Sequence, residues 1–309
     1  MYFEISHFTE YHYAEPATLS PQILRLRARE DGTQRLLDFR LEVEPPPSRV
    51  SVQIEPDGNT SLLASFSQPI SNLRVNAYSI VETHRTNPFD FVITALPAMH
   101  LPARYDERLA SVLAPSLNPG DGPVVRALAE KLAEDASYDT LQFLTLLNRH
   151  LVENMRVTLR LYGDPMAPDE CLSLGEGACR DLAMVFIAAC RHMGIAARFV
   201  SGYQMTDPNE HERHMHAWAE VYLPGGGWRG FDPTHGIAVD DRFVSVAASP
   251  IPALASPIEG WYTPNTIPSR MKIDLDVRSS CPIPNNASAE EPMADPRHEG
   301  SAPAGTAAS

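Results

Sequence analysis

The chain has 309 residues and a mass of 34.1 kDa, which allows about two domains. Asp and Glu total 39 against 25 Lys and Arg, and the net charge of -14 argues against a nucleic-acid-binding protein. We find no apolar run near the ~20 residues of a membrane helix and no secretory leader at the N-terminus. The four cysteines match neither a disulfide framework nor a CxxC zinc site. These features predict a cytoplasmic protein.

Apolar and polar residues alternate in four stretches of the first hundred residues, and turn signals such as Asp57-Gly58-Asn59 separate them. The alternating apolar positions are Leu24, Leu26 and Ala28; Leu37, Phe39, Leu41 and Val43; Val50, Val52 and Ile54; and Leu73, Val75 and Ala77. A period of two predicts half-buried strands. We therefore expect a β-rich, sandwich-like domain over residues 1–115, with a structural or substrate-shaping role.

Residues 116–278 predict a second domain, the catalytic core, in which helices come first. One helix follows Asp121-Gly122-Pro123, because proline is favoured in the first helical turn. A second runs from about Asp139 to Met155, and a third begins near Ala178 and stops at Gly194. Residues 156–177 between them predict a loop.

Strands are expected next, at about residues 196–204, 215–223 and 228–232, with a glycine-rich turn at 224–227. Residues 279–309 contain almost no large apolar side chain, so they predict a disordered tail.

Cys179 is the candidate nucleophile. It follows Gly175-Glu-Gly-Ala178 at the predicted first turn of an apolar helix. The positive end of the helix dipole favours a thiolate there, and the thiolate is the reactive form. A buried structural cysteine is the competing interpretation, and it is the one we give to Cys190, deeper in the same helix.

His216 and Asp232 are the candidate partners of that thiol. His216, Trp218, Glu220 and Tyr222 share one face of the predicted strand, and we expect that face to be polar. Asp232 ends the returning strand, where a carboxylate could orient the imidazole. The two share a face only if the hairpin contains a bulge or an odd-length loop.

The order Cys, His, Asp over a helix and two strands resembles the bacterial transglutaminase-like superfamily. The residues that carry the likeness are Gly177-Ala-Cys-Arg-Asp-Leu-Ala183, Arg191–Tyr203, His216-Ala-Trp-Ala-Glu-Val-Tyr-Leu-Pro224 and Gly227-Trp-Arg-Gly-Phe-Asp-Pro-Thr234. The segment His7–Pro16, with Leu24-Arg-Leu26, resembles the β-rich region that precedes this core in bacterial members. The resemblance implies an α+β, papain-like core with the nucleophile at a helix N-terminus packed on an antiparallel sheet.

By matching motif positions, the resemblance implies Cys179 as nucleophile, His216 as general base and acid, and Asp232 as the orienting acid. The Cys179 backbone N–H would contribute to the oxyanion hole, and the upstream loop offers Tyr162 as a further donor. The expected chemistry is acyl transfer at an amide bond through a thioester. Hydrolysis, as a cysteine peptidase or amidase, is the preferred prediction. A protein-glutamine transglutaminase or deamidase is the alternative.

Two other classes compete with a thiol enzyme. One is a metal site in His211-Glu-Arg-His-Met-His216, where His214 and His216 alternate along the chain. The other is a non-catalytic binding module on the same fold, since fold does not imply function. We expect no cofactor and no metal, a peptide or protein as substrate, and neither nucleic acid nor membrane as partner.

Overall fold

The computed structural model describes residues 1–160, 162–205 and 214–280. The elements before the middle of the chain are β1 (Tyr2–Leu19), β2 (Gln22–Leu24), β3 (Gln34–Glu44), β4 (Arg49–Ile54), β5 (Thr60–Ser65), β6 (Ile70–Thr83), α1 (Glu107–Leu117), α2 (Pro123–Asp135) and α3 (Thr140–Asn154). They are followed by β7 (Arg156–Val157), α4 (Pro168–Leu174), β8 (Glu176–Gly177), α5 (Cys179–His192), β9 (Ala197–Gln204), β10 (His216–Leu223), β11 (Gly227–Asp232), β12 (Ile237–Ala238), β13 (Phe243–Ser249), β14 (Ile258–Glu259), β15 (Tyr262–Thr263) and β16 (Ser269–Ser280).

The N-terminal strands form two sheets, as the alternating pattern predicts. One has the order β15-β1-β6-β3, with β16 also paired to β1, and the other has the order β14-β2-β5-β4. β1 and β6 pair antiparallel over most of their length, and buried residues alternate with more accessible ones along most of both strands. A cluster of apolar residues, including Leu24, Leu73 and Val75, fills the space between the sheets.

Three details of the N-terminal prediction are wrong. Leu37, expected to be half-buried, is 43% exposed at the point where the pairing of β3 with β6 shifts its register. The strand that the alternation around Leu24 and Ala28 predicts ends at Leu24, although both side chains are buried. Val50, Val52 and Ile54 lie in a strand but are 51%, 66% and 79% exposed, not half-buried. The reason is the place of β4 at the edge of its sheet, beyond which no described layer covers these residues.

The helices of the second half match the predicted positions closely. α2 begins at Pro123, α3 follows Asp139 as its N-cap, and α5 follows Ala178. Two helices were not predicted: α1, which carries Pro115 in its last turn, and the seven-residue α4 within the expected loop. α5 is the central helix, because nine of its 14 residues are buried against the other helices and the sheet.

The core sheet has the order β12-β11-β10-β9-β13 and is antiparallel throughout. α5 packs on one face of β9 and β10. The helix that begins at Cys179 packs on an antiparallel sheet and follows a β-rich N-terminal region, which confirms the predicted α+β architecture.

The chain returns to the N-terminal sheets after the core. We expected residues up to 278 in the second domain, but β14 pairs with β2, and both β15 and β16 pair with β1. By hydrogen bonding, residues 258–280 therefore belong with the N-terminal sheets. Ser279 and Ser280, placed in the predicted tail, close β16, and the rest of that tail lies outside the described residues.

Side chains of the N-terminal sheets bind directly to the core sheet. The amide of Gln34 bonds both backbone groups of Ser245, and the amide of Asn59 does the same with Ala248. His7 Nδ1 lies 2.9 Å from the hydroxyl of Tyr203 on β9. These bonds fix β9 and β13, and β9 is the direct neighbour of the strand that carries His216.

Candidate active site

The thiol of Cys179 stands at the first residue of α5, as predicted. Asp181, two residues on and fully buried, accepts a hydrogen bond from the backbone N–H of Ala178 at 2.8 Å. Its other oxygen accepts from the N–H of Met166 at 2.8 Å and from Arg160 at 2.6 Å. Asp181 thus satisfies a free N–H at the helix start and holds the preceding loop against it.

Arg180, the residue directly after Cys179, binds the same loop. Its guanidinium donates to the carbonyls of Arg160 and Tyr162, each at 2.6 Å. The loop before the helix and the helix start are therefore one connected unit. Because Arg180 and Asp181, the two residues after Cys179, both hold this loop, the backbone around the thiol is positioned in advance.

His216 begins β10 and projects from the sheet face opposite the α5-facing residues Ala217 and Ala219. The expectation that this face is polar is wrong at Trp218, which is 1% exposed. Trp218 belongs to a second apolar cluster on this face, formed with Val200, Phe243 and Ala248 from neighbouring strands of the same sheet and with Val239. The imidazole of His216 stacks on the Trp218 ring with centroids 6.2 Å apart, so its orientation is restricted.

The hairpin register brings Asp232 to the face of His216. Leu223 pairs with Gly227, so the loop holds three residues, 224–226, and Ala219 pairs with Phe231. This confirms the predicted odd-length loop. Glycine at 225 and 227 supplies the positive φ values of +89° and +70° that the loop requires. His216 Nε2 lies 2.9 Å from Asp232 Oδ2.

The carboxylate of Asp232 is completely buried and accepts three hydrogen bonds. Oδ2 accepts from His216 and, at 2.7 Å, from Nδ1 of His235, while Oδ1 accepts from the N–H of Thr234 at 2.9 Å. Burial raises the pKa of this carboxyl, but the charge of His216 and the bonds from both histidines hold the pKa well below its usual range. Asp232 is therefore a fixed negative charge behind the imidazole.

The thiol and the imidazole favour the ion-pair form. Burial raises the pKa of Cys179. The hydrogen bond and charge of His216 and the backbone N–H of Ala217 lower the pKa by more than burial raises it, so the net shift is downward. Burial lowers the pKa of His216, but Asp232 and the thiolate outweigh this and raise it to about 10. Since Nε2 bonds Asp232, Nδ1 is the ring nitrogen left for the thiol.

The other cysteines have the opposite character. Cys190 is fully buried in α5, and burial raises its pKa well above the ordinary value. Cys171 lies in α4, where burial raises its pKa to about 12. Cys281 lies outside the described residues. The one described thiol with a lowered pKa is the predicted nucleophile.

Tyr162, the candidate oxyanion donor, is turned elsewhere. Its hydroxyl donates to the carbonyl of Met271 in β16 at 3.0 Å, and the side chain is 56% exposed. Among the described residues, the backbone N–H of Cys179 in the first helical turn is the donor that sequence and structure both place at the site.

His235 is the site residue that the sequence analysis missed. It sits three residues after Asp232, in the turn that follows β11, and its ring centroid lies 5.3 Å from that of His216. The only signal was a histidine in Asp232-Pro-Thr-His235, a turn in which polar residues are ordinary.

Metal-binding side chains do not form a separate centre in the described part of the chain. His211 and Glu212 of the alternative zinc motif lie outside the described residues. His216, Asp232 and His235 have donor atoms within 4.8 Å of one another, but the hydrogen bonds among those atoms already pair each of them. We therefore treat the three as a hydrogen-bond network.

Sequence comparisons match both halves of the chain. The profile of the transglutaminase-like superfamily matches residues 126–233, and that of the bacterial transglutaminase-like N-terminal region matches residues 3–82. An uncharacterized protein of Mycobacterium tuberculosis strain H37Rv is 30% identical over 301 residues, which cover 89% of this chain and 92% of that protein. A protein-glutamine gamma-glutamyltransferase of Pseudomonas aeruginosa is 31% identical over 125 residues, covering 38% of this chain and 19% of the transferase.

A solved structure has the same fold over nearly the whole chain. It is a “Putative Cysteine Protease” of Cytophaga hutchinsonii, with a TM-score of 0.68 and 19% identity over 91% of this chain and 92% of that one. Among the described residues, no helix is both long enough and apolar enough to cross a membrane. The matched profiles, the near-full-length relative and the shared fold together show that this chain belongs to the transglutaminase-like superfamily, with the bacterial transglutaminase-like N-terminal region.

Proposed function

We propose that this protein is a thiol-dependent acyl-transfer enzyme that acts on amide bonds through Cys179, His216 and Asp232. One observation carries the proposal: hydrogen bonds link a thiol of lowered pKa at a helix N-terminus to an imidazole of raised pKa, and that imidazole to a buried carboxylate. Environments that push two titrating groups toward a thiolate and an imidazolium are typical of an activated nucleophile.

In the first half-reaction, the Cys179 thiolate attacks the amide carbonyl carbon, and the carbonyl oxygen becomes an oxyanion near the Cys179 N–H. The C–N bond breaks as the His216 imidazolium gives its proton to the leaving amine, and a thioester remains on the sulfur. Asp232 holds the ring through Nε2, so Nδ1 faces the reaction.

In the second half-reaction, neutral His216 takes a proton from the acceptor, which attacks the thioester and releases the thiolate. We put hydrolysis first, since water needs only access to the thioester. The gamma-glutamyltransferase relative favours an amine acceptor as the second candidate. Both reactions share the first half, so the acyl-enzyme is the common test.

The experiment offers the protein a mixture of peptides containing glutamine amides, with and without dansylcadaverine, and follows intact protein and products by mass spectrometry. We expect acyl adducts on Cys179 after a rapid acid quench, and new carboxylates as the main product. Dansylcadaverine incorporation would identify the transamidase. The Cys179→Ala variant is the control and should give neither product.

An unreactive Cys179 would contradict the proposed function. If the peptide mixture leaves Cys179 unmodified and iodoacetamide alkylates it only slowly, the thiol is not activated. The non-catalytic binding module would then replace the enzyme as the better interpretation.

A further inference from the structure

A single carboxylate oxygen of Asp232 accepts hydrogen bonds from two imidazoles. Oδ2 lies 2.9 Å from Nε2 of His216 and 2.7 Å from Nδ1 of His235, while Oδ1 is occupied by the N–H of Thr234. A triad of the proposed kind needs one of these imidazoles, His216. The other imidazole, that of His235, lies as close to Oδ2 as His216 does. It belongs to a turn whose backbone N–H, at Thr234, also binds the carboxylate.

We propose that His235 is a positioning residue, which acts through Asp232: its Nδ1–H fixes Oδ2 in line with His216 and takes up part of the carboxylate's charge. This inference rests on the proposed function of the triad. Without His235, one donor on each oxygen, His216 on Oδ2 and Thr234 on Oδ1, would hold the carboxylate. The Nδ1–H of His235 adds a second donor on Oδ2, which restrains its rotation about the Cβ–Cγ bond further.

His235 is well placed to do this without touching a substrate at the sulfur. Its side chain is 47% exposed, while Asp232 is completely buried, so His235 forms the outer cover of the carboxylate. Among the described residues, the polar groups that face its ring are Asp232 from its own turn, His216 from β10 and the amide of Gln204 from β9 at 3.5 Å. The helix packed against this turn, α3, meets it through Val152 and Asn148, neither of which titrates.

The charge effect has a definite sign. Asp232 raises the pKa of both Cys179 and His216. Removing a donor from Asp232 leaves its charge less compensated, so both pKa values should rise together. A residue with a merely structural role would lower the amount of folded protein or the rate, but would not move both ionisations in the same direction.

The test measures the rate of Cys179 alkylation by iodoacetamide against pH, peptide by peptide, in the wild type, His235→Leu, His235→Ala and His235→Asn. Asparagine places an amide donor where Nδ1 stood, whereas leucine and alanine place none. We expect both inflections to move upward by roughly half a unit to one unit in the leucine and alanine variants. The asparagine variant should keep the wild-type inflections. His84→Leu is the matched control, since His84 is 45% exposed and lies beside Glu82 in the N-terminal sheet.

Each outcome is decisive. Wild-type inflections in the folded leucine or alanine variant overturn the inference while leaving the proposed function standing. Equal shifts in the asparagine variant overturn it too, because the donor would then not be the feature that matters. An unactivated Cys179 in the wild type overturns the proposed function, and this inference with it.

Discussion

Nε2 of His216 lies 2.9 Å from Oδ2 of Asp232, although the two residues stand on neighbouring strands and are separated by a hairpin. The contact depends on the length of the loop at residues 224–226. Successive side chains of a strand point to opposite faces, so a loop one residue longer, with the strands otherwise regular, would turn Asp232 to the far face of the sheet. The glycines of this loop thus help to place Asp232 beside His216 in the candidate active site.

The first prediction concerns the pH dependence of Cys179 alkylation in the wild type. The lowered pKa of Cys179 and the pKa of about 10 for His216 define a pH range in which thiolate and imidazolium coexist. We expect Cys179 to react below about pH 8, where an ordinary thiol is mostly protonated, and far faster than Cys171 or Cys190. Mass spectrometry of tryptic peptides from the native protein measures each site.

His216→Ala supplies the control for that measurement. It removes the hydrogen bond and charge that lower the pKa of the thiol, so the reaction of Cys179 should move to higher pH. Equal reactivity of Cys179 in the two proteins would contradict the ion pair.

The second prediction ranks the members of the triad by activity. Cys179→Ala removes only the sulfur and should reduce turnover by roughly 10⁵-fold or more, with His216→Ala close to it. Asp232→Asn keeps an acceptor oxygen but removes the charge, so a loss of about 10²–10⁴-fold is expected. Because Asp232 raises the pKa of His216, the alkaline limb of the activity profile should move below pH 10 in this variant. Full activity of folded Cys179→Ala on a genuine substrate would falsify the mechanism.

Features that depend on residues close together in the sequence could be predicted, whereas features that depend on contacts between distant residues could not. Cys179 and α5 follow from local signals, an apolar helical stripe after a glycine-rich turn, and the side of Asp232 follows from strand alternation once the loop length is known. The burial of Trp218 could not be predicted, because the apolar cluster that contains it is formed by residues distant in sequence. The alternation in β16 is visible at Met271, Ile273 and Leu275, but its pairing with β1 is decided by tertiary packing.

The third prediction concerns His7, which links β1 to the core sheet through Tyr203. Burial lowers the pKa of His7 from 6.5 to about 4. As the pH falls from about 6.5 to 4, His7 is protonated in the unfolded chain but stays neutral in the folded chain. The free energy of unfolding should therefore decline across that range by up to ~3 kcal/mol. Denaturant unfolding at several pH values should show a shallower decline in His7→Gln than in the wild type. His12→Gln, on the same strand but exposed, should keep the wild-type slope.

The fourth prediction tests the close packing behind His216. Gly202 is the direct β9 partner of His216, and a Cβ there would lie 2.6 Å from Cη2 of Trp218 and closer still to the carbonyl oxygen of Val244. Backbone cannot yield as a side-chain end can, so Gly202→Ala should force β9 and β13 apart and cost about 1–3 kcal/mol of stability. We expect slower Cys179 alkylation near neutral pH as well, since Trp218 is the ring on which His216 stacks. Gly32→Ala is the control, because nothing lies within 4 Å of its added Cβ. Equal unfolding midpoints for the two variants would show that Trp218 and β13 adjust without cost. Equal rates of Cys179 alkylation would show that the imidazole does not depend on this packing.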